Sequence, residues 1–281
     1  MIHNSLQFAF FGTDEFSVIV LNELKNVGFI PALVVTAPDT RKGRGLKLTP
    51  PPVKVWAEKF GIKFLQPQKL DTNFVSQMSN VKCQMFIVAS YGKVLTKEIL
   101  AIPERGALNV HPSLLPLYRG PSPIQSQMLD GVETTGVTIM FMNEKIDHGP
   151  IVAQQVSGFK IYDLRFKKLR DELARLGGKL LAQTIPDWVA GNIDTQEQDH
   201  IAATYSKKIK KEDGLMRLSD NPELNYRKFL AYSDWPSAYF FQNGKRIKIT
   251  DAELKDGQFI IKKIISEGKK EISYTDLKKH F

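Results

Sequence analysis

Short apolar runs and segments of helical hydrophobic spacing alternate from residue 6 to residue 156. The predicted strands are residues 6–11, 30–36, 62–65, 85–89, 107–110, 137–142 and 151–156. The predicted helices, which separate the first four strands, are residues 16–26, 53–60 and 73–78. Because strands that alternate with helices build mostly parallel sheets covered on both faces, we expect an α/β fold of Rossmann-like type.

Beyond residue 156 the pattern becomes helical and then polar. Leucines recur at near-helical spacing over residues 163–189, which predicts a long helix. The pair Gly177 and Gly178 inside this helix indicates either close packing or a bend. Residues 192–204 are polar and are predicted to be a linker.

The tail contains several short β-like runs. Two of them flank Asn243-Gly244, which is a strong signal for a hairpin turn. Several short strands in so small a segment favour an OB-like β-barrel. We therefore expect a Rossmann-like domain over residues 1–191, a linker over 192–204 and a small barrel domain over 205–281.

Composition narrows the class of protein. Hydrophobic residues make up 42% of the chain, enough for a sizeable core, and no apolar run is long enough to cross a membrane. The first five residues lack the features of a secretory signal. The single cysteine, Cys83, excludes an intramolecular disulfide and multi-cysteine zinc sites, and is most simply a core thiol. We expect a cytoplasmic monomer with no membrane partner and no bound metal.

Positive charge is concentrated in the tail. The net charge is +9, and residues 201–281 carry 17 Lys or Arg against 11 Asp or Glu. This asymmetry indicates a polyanionic partner, nucleic acid before membrane, although a merely soluble basic surface would give the same count.

Two glycine-containing stretches lack the patterns that bind dinucleotides or nucleoside triphosphates. The first strand-to-helix turn contains one glycine, Gly12, where a dinucleotide-binding fingerprint needs three, so a nicotinamide enzyme is disfavoured. The Gly43-Arg44-Gly45 stretch is too short for a phosphate-binding loop and does not open a predicted helix.

The most informative pair is Asn109 and His111 at the end of a predicted strand. Two residues apart, their side chains point the same way. An amide donor and an imidazole on one side of a strand end could stabilise an oxyanion. A single histidine is more often structural, but Asn109 and the stiff loop with Pro112 and Pro116 favour a functional role.

Asp147 is the candidate third member of this group. It lies in a loop between two predicted strands, ahead of Gly149 and Pro150, and could reach the same strand end. A turn-forming role explains an aspartate before a glycine equally well, so the residues alone leave both interpretations open.

The loop after Asn109 carries a recognisable motif. The stretch from His111 to Ile124, HPSLLPLYRGPSPI, resembles the signature of the 10-formyltetrahydrofolate-dependent formyltransferases. FGTDEF from Phe11 is similar to an opening motif of the branch that acts on tRNA, and KEDG, WPSAY and NGKRIKI resemble its C-terminal domain. Two departures from the pattern are present: Asp14 replaces the usual proline, and Leu117-Tyr118 replaces a basic–aromatic pair.

The resemblance implies a formyl transfer from 10-formyltetrahydrofolate to the amino group of methionine on initiator methionyl-tRNA. Asn109, His111 and Asp147 match the family's catalytic residues. Asn109 and His111 would stabilise the oxyanion, and Asp147 would move the proton of the attacking amine. By the same resemblance, the folate would be lined by two loops: Ser90, Tyr91, Gly92, Lys93, Val94 and Leu95, and then Ser113, Leu114, Leu115 and Pro116.

The resemblance also implies a tRNA-binding role for two basic segments. The first is predicted to be a loop that becomes ordered on binding, and the second belongs to the tail. Their residues are Arg41, Lys42, Arg44 and Lys47, and then Lys207, Lys208, Lys210, Lys211, Lys245, Arg246 and Lys248.

Two alternatives stay open at this point. Tyr118 occurs in formyltransferases that act on sugars or nucleotide sugars, but a small sugar needs no basic tail. A catalytically inactive RNA-binding protein would not need Asn109, His111 and Asp147 intact.

Overall fold

The structure is a computed structural model that describes residues 6–43, 45–162 and 164–279. Its strands are β1 (Phe8–Gly12), β2 (Leu33–Val35), β3 (Thr40–Lys42), β4 (Lys47–Thr49), β5 (Phe64–Leu65), β6 (Met85–Ala89), β7 (Ala107–His111), β8 (Gly136–Phe141), β9 (Ile151–Val156), β10 (Tyr239–Gln242), β11 (Lys245–Lys255), β12 (Gln258–Ser266) and β13 (Glu271–Ser273). Its α-helices are α1 (Glu15–Asn26), α2 (Pro52–Lys59), α3 (Thr72–Val81), α4 (Lys97–Leu100), α5 (Pro123–Asp130), α6 (Phe166–Ala190), α7 (Pro222–Ala231) and α8 (Tyr274–Lys279). A 3-10 turn spans Lys211–Gly214.

A mostly parallel seven-stranded sheet organises the N-terminal part of the chain. The strand order is β5-β2-β1-β6-β7-β8-β9, and the pairs from β5 to β7 are parallel. Strand β8 runs antiparallel to both of its neighbours. Every residue of β1, β6 and β7 is buried, as expected for strands covered on both faces. The predicted fold class is confirmed.

Several elements differ from those predicted. Strands β6 and β9 have the predicted bounds, whereas α4, α5, α7 and α8 were not predicted. The segment predicted to be an ordered-on-binding loop instead contains the hairpin of β3 and β4. Its turn includes Gly43 and Gly45 at φ 69° and 83°, values that glycine adopts without the steric cost of a side chain.

The chain divides into two compact units that interleave along the sequence. The first comprises the chain up to Gly120, Gly136–Gly158 and Arg170–Tyr205, and the second comprises Pro121–Thr135, Phe159–Leu169 and the chain from Ser206. The predicted division at residues 191 and 204 stays a prediction. In the described part of the chain, no helix combines the length and apolar character that crossing a bilayer requires.

The second unit contains an antiparallel sheet of strands β10 to β13 in chain order. Asn243 and Gly244 form the two-residue turn between β10 and β11, with φ of 50° and 73°. Positive φ at both positions is typical of a type I′ hairpin turn, so this predicted hairpin is confirmed. In the same unit, the Arg227 guanidinium of α7 donates to the carbonyl of Asp130 at the end of α5.

The predicted core thiol is also confirmed. Cys83 is 5% exposed and packs in the apolar cluster that includes Phe74, Met78 and Phe86. Removal from water disfavours the thiolate and raises the pKa of Cys83 to about 11.

The glycine pair of α6 allows close packing against the first unit's sheet and against α1. A Cβ at Gly177 would lie 2.5 Å from Val110 Cγ1 and 3.0 Å from Val137 Cγ1. A Cβ at Gly178 would lie 2.7 Å from Glu23 Cβ. The distances of 2.5 and 2.7 Å are shorter than non-bonded carbon atoms can approach. The backbone of α6 therefore comes so close to its neighbours only because Gly177 and Gly178 have no side chains.

We expect Gly177→Ala to lower the free energy of unfolding by about 1–3 kcal/mol, because its methyl group overpacks the contact with Val110. Thermal or urea unfolding measures the change. Gln183→Ala in the same helix, at an exposed position, is the matched control and should stay within about 0.5 kcal/mol of the parent. Equal stability of the Gly177→Ala protein and the parent would contradict the close packing.

Candidate active site

Strand β7 places Asn109 and His111 on one face of the sheet. Side chains alternate along a strand, and Val110 between them meets α6, so Asn109 and His111 face the opposite side. Their exposures are 9% and 4%, so both polar side chains are largely withdrawn from water. The geometric part of the sequence prediction, that these two side chains share a direction, agrees with this register.

His111 lies between a carbonyl and a carboxylate. Its Nε2 is 2.9 Å from the carbonyl oxygen of Tyr118, and its Nδ1 is 3.7 Å from Oδ1 of Asp147. A carbonyl only accepts, so the hydrogen bond to Tyr118 requires a proton on Nε2. The ring can then hold a second proton on Nδ1, facing the carboxylate.

Asp147 is held by a hydrogen bond at its carboxylate and another at its backbone. The Gly120 amide donates to Oδ2 at 2.7 Å, and Gln198 Nε2 donates to the Asp147 carbonyl at 3.0 Å. Asp147 has φ 50°, in the left-handed region that residues with a side chain seldom adopt. It is therefore a turn residue whose carboxylate also lies beside His111. The turn-forming interpretation thus does not exclude the functional one, which stays a prediction.

The three residues of the polar triad, defined here as Asn109, His111 and Asp147, differ from one another in their hydrogen-bond partners. His111 and Asp147 are both engaged as described above. The Asn109 side chain has no hydrogen-bond partner among the residues that the structure describes. A largely buried amide without a protein partner is available to a bound molecule.

Three non-glycine residues in the loops of the site have positive φ. Ser90, Tyr118 and Asp147 have φ of 50°, 60° and 50°. Such conformations cost free energy and persist only where surrounding contacts hold them. Ser90 is held by its hydroxyl, which donates to Oδ2 of Asp14 at 2.6 Å.

The first loop predicted to line a folate, residues 90–95, turns its large side chains in several directions. Tyr91 and Leu95 point into the apolar cluster around Phe11, so only their backbone groups are available to a ligand. Lys93 Nζ donates to the carbonyls of Pro67 and Gln68 at 2.6 and 2.9 Å.

The remaining positions of this loop face outward. Ser90, Gly92 and Val94 are exposed, and open space surrounds the position of a Cβ at Gly92. A flat group can therefore approach the backbone of Gly92 closely.

The second predicted loop, residues 113–116, is fixed by side chains that sequence reasoning did not single out. Thr138 Oγ1 donates to the Ser113 carbonyl at 2.7 Å and accepts from the Leu115 amide at 3.1 Å. Gln154 Nε2 donates to the Leu115 carbonyl at 2.9 Å. Thr138 and Gln154 lie on paired strands, β8 and β9, and no local motif in the sequence marks them.

Arg119 and Gln198 are two further residues that sequence reasoning did not assign to the site. Arg119 is 1% exposed, and both its Nε and its Nη2 donate to Oε1 of Gln198, at 3.1 and 2.7 Å. Gln198 lies in the stretch predicted to be a linker. A polar segment without periodicity offers no signal that one of its side chains is buried.

His148 and His200 lie next to this network. Their rings stack with centroids 3.8 Å apart, and His200 Nδ1 is 2.9 Å from Nη2 of Arg119. Burial, followed by the neighbouring His200, lowers the pKa of His148, which favours its neutral form in the stack.

The basic residues predicted to bind tRNA differ in their environments. Arg41 and Lys47 of the β3–β4 hairpin are exposed, whereas Arg44 and the side chain of Lys42 lie outside the described residues. In the second unit the exposed residues are Lys207, Lys208, Lys210, Lys211 and Lys245, and Lys248 is half-buried.

Arg246 is the exception in the second unit. Its guanidinium carbon lies 3.8 Å from the centroid of the Tyr239 ring, and its Nη2 is 3.5 Å from the Pro236 carbonyl oxygen. A guanidinium stacked on an aromatic ring contributes to packing, so Arg246 is less available to phosphate than the exposed lysines.

Comparison with protein families matches both the N-terminal and the C-terminal part of the chain to formyl transferase models. The sequence model described as formyl transferase matches residues 6–185, and that described as formyl transferase, C-terminal domain, matches residues 208–274. The chain is 42% identical over 248 residues to the methionyl-tRNA formyltransferase of Chloroflexus aurantiacus, covering 88% of this chain and 80% of the relative. It is 40% identical over 244 residues to that of Bacillus subtilis, covering 86% and 77%.

Solved structures share the fold. The methionyl-tRNA formyltransferase from Clostridium thermocellum aligns with a TM-score of 0.64 at 15% identity, covering 93% of this chain and 98% of that chain. The N-formyltransferase from Helicobacter canadensis, in complex with folinic acid and dTDP-3-aminofucose, aligns with a TM-score of 0.69 at 17% identity, covering 95% and 98%. At these identities the two structures show the fold alone.

The chain belongs to the formyl transferase family. Its relatives at about 40% identity are methionyl-tRNA formyltransferases, and the resemblance that the sequence motifs indicated is thereby confirmed.

We expect Tyr91→Phe to leave the free energy of unfolding unchanged or to raise it by up to about 2 kcal/mol. The substitution removes a buried hydroxyl that has no hydrogen-bond partner in the described part of the chain. Urea unfolding measures this, and Tyr91→Ala, which leaves a cavity, should instead cost about 3–5 kcal/mol. Folate affinity should not change in Tyr91→Phe, and a tenfold loss would show that the Tyr91 hydroxyl contacts the ligand.

Proposed function

We propose that this protein transfers the formyl group of 10-formyltetrahydrofolate to the amino group of methionine on initiator methionyl-tRNA. The observation that carries the proposal is the meeting of Asn109, His111 and Asp147 at one site, with His111 Nδ1 3.7 Å from the Asp147 carboxylate. The similarity to methionyl-tRNA formyltransferases, over 80% of the length of one relative and 77% of another, supports the choice of acceptor.

The polar triad supplies what an acyl transfer to an amine requires. The folate co-substrate brings the formyl group. Negative charge develops on the formyl oxygen when the amine attacks. The proposed donors to it are the Asn109 amide and the Nδ1–H of a protonated His111, which at 3.7 Å from Asp147 makes no hydrogen bond to that carboxylate. Asp147 is the proposed acceptor of the proton that the amine must lose.

The residues present fit a folate. The exposed backbone at Ser90 and Gly92 offers hydrogen-bonding groups with space in front of them, and Val94 is 59% exposed beside them. A pterin ring needs such a combination of backbone polar groups and an apolar side chain. We therefore propose that backbone groups of residues 90–95 and 113–116 line the pocket, while Tyr91 and Leu95 support it from the core.

The tRNA would be held by exposed basic residues in each unit. Arg41 and Lys47 are the described basic residues of the hairpin, and the lysines from Lys207 to Lys211 extend outward in the second unit. Phosphate contacts of this kind position a nucleic acid without reading its sequence. We further propose that the protein is a monomer and works in the cytoplasm, where translation uses its product.

We expect Asn109→Ala and His111→Ala each to lower kcat by about 10²–10³-fold, because each removes one proposed donor to the developing charge. Asp147→Asn should be at least as severe, since it keeps the shape and removes the proton acceptor. Transfer of labelled formyl from the folate to methionyl-tRNA measures all three, with an amino sugar as parallel acceptor.

The folded state should survive these changes, as circular dichroism would show. Turnover close to the parent's in Asp147→Asn would contradict the role of Asp147. Preferred formylation of the amino sugar would contradict the acceptor.

In a plot of log tRNA affinity against log salt concentration, we expect the double substitution Lys207→Ala with Lys208→Ala to reduce the magnitude of the slope by about 1.4–1.8. Each neutralised phosphate contributes about 0.7–0.9 to that slope, since binding releases counterions. Binding titrations at several salt concentrations measure it.

The matched control is Lys262→Ala with Lys263→Ala, which changes the net charge equally. These lysines are already paired with Glu253 and Glu271, so the slope should stay near that of the parent. Equal flattening by both double variants would show a general charge effect rather than a binding surface at Lys207 and Lys208.

A further inference from the structure

Gln198 is buried within the first unit and uses its whole side-chain amide. It is 4% exposed. Its Nε2 donates to the carbonyls of Asp147 and Gly149, at 3.0 and 2.6 Å. Its Oε1 accepts from Nε and Nη2 of Arg119, at 3.1 and 2.7 Å. Both N–H groups and both lone pairs of the amide are therefore engaged.

This amide connects Asp147 to the same backbone that binds its carboxylate. Gly120, the neighbour of Arg119, donates its amide to Asp147 Oδ2 at 2.7 Å. Residues 119 and 120 thus reach Asp147 by two routes, one direct and one through Gln198. The first fixes the carboxylate, and the second fixes the backbone that carries it.

The loop of Asp147 needs such support. Residues 143–146, which precede it, are exposed, and Ile146 is 56% exposed. Asp147 is in the left-handed conformation, which an aspartate leaves readily unless its peptide groups are held. Gln198 binds the carbonyls of Asp147 and Gly149, so it fixes the orientation of the 147–148 and 149–150 peptide links.

We infer that Gln198 is a positioning residue, which sets the Asp147 carboxylate at its distance from His111 without touching the reacting atoms. This inference rests on the proposed function, because it presumes that the position of the Asp147 carboxylate limits the reaction. Displacement of a reacting group by about 1 Å can reduce a rate by about 100-fold, so the orientation of a single loop is sufficient.

The test separates the two halves of the Gln198 amide. Gln198→Glu keeps an acceptor for Arg119 and removes both donors to the Asp147 loop. We expect kcat for methionyl-tRNA formylation to fall by about 10- to 100-fold, with KM for both substrates within about threefold of the parent. Gln198→Met, of similar volume, serves if the glutamate variant does not fold, and should show the same split between kcat and KM.

Gln196→Met is the matched control, because Gln196 lies two residues earlier with an exposed side chain and should retain the parent's kcat. Circular dichroism at the assay temperature gives the folded fraction, by which each kcat is corrected. A merely structural role would lower that fraction and leave the corrected kcat unchanged. A corrected kcat equal to the parent's in Gln198→Glu would overturn the inference.

The combination with Asp147→Asn distinguishes this inference from the proposed function. If Gln198 acts through Asp147, Gln198→Glu should reduce kcat no further in the Asp147→Asn background. A full additional loss there would overturn the positioning role. Turnover equal to the parent's in Asp147→Asn alone would overturn the role of Asp147 and, with it, the basis of the inference. The proposed function itself would be overturned only if the parent protein did not formylate methionyl-tRNA.

Discussion

The hydrogen bond from the Gly120 amide to the Asp147 carboxylate joins the two loops on which the site depends. One loop follows His111 along the chain, and the other connects β8 to β9. The bond requires backbone that most residues do not adopt, because Asp147 has φ 50° and Gly120 has φ 102°. A Cβ at Gly149 would lie 1.8 Å from the Phe141 carbonyl oxygen, so only glycine allows the second loop to turn there. These local requirements explain why the carboxylate reaches the imidazole at all.

The sheet supplies the rigid platform beneath these loops. Strand β7 is buried on both faces, and its alternation assigns Val110 to the packing against Gly177 and leaves Asn109 and His111 on the other face. Most polar groups around the site have partners in the protein, as the contacts of Thr138 and the Tyr118 carbonyl show. The Asn109 amide, which lacks one in the described residues, is carried by the buried strand β7. A donor on so rigid a support needs little reorganisation when charge develops before it.

The basic residues illustrate how differently equal charges can act. Lys207 and Lys208 extend into solvent, where they can follow a phosphate backbone. Arg246 stacks on Tyr239, and Lys262 is paired with Glu253, so their charges are partly used within the fold. A count of basic residues in the tail therefore overstates the number available to bind a polyanion. The excess of positive charge nevertheless indicates correctly that the partner is negatively charged.

The sequence by itself determined the elements and chemistry that depend on neighbours along the chain. Period and turn chemistry predicted β6, β9 and the Asn243-Gly244 hairpin, because strand alternation and positive φ are local properties. The two-residue spacing of Asn109 and His111 placed both on one face for the same reason. Tertiary structure alone decided which distant groups meet. Gln198, in a polar stretch without periodicity, binds the loop of Asp147 across 51 positions of the chain, and burial of such a side chain is a property of the fold rather than of its neighbours.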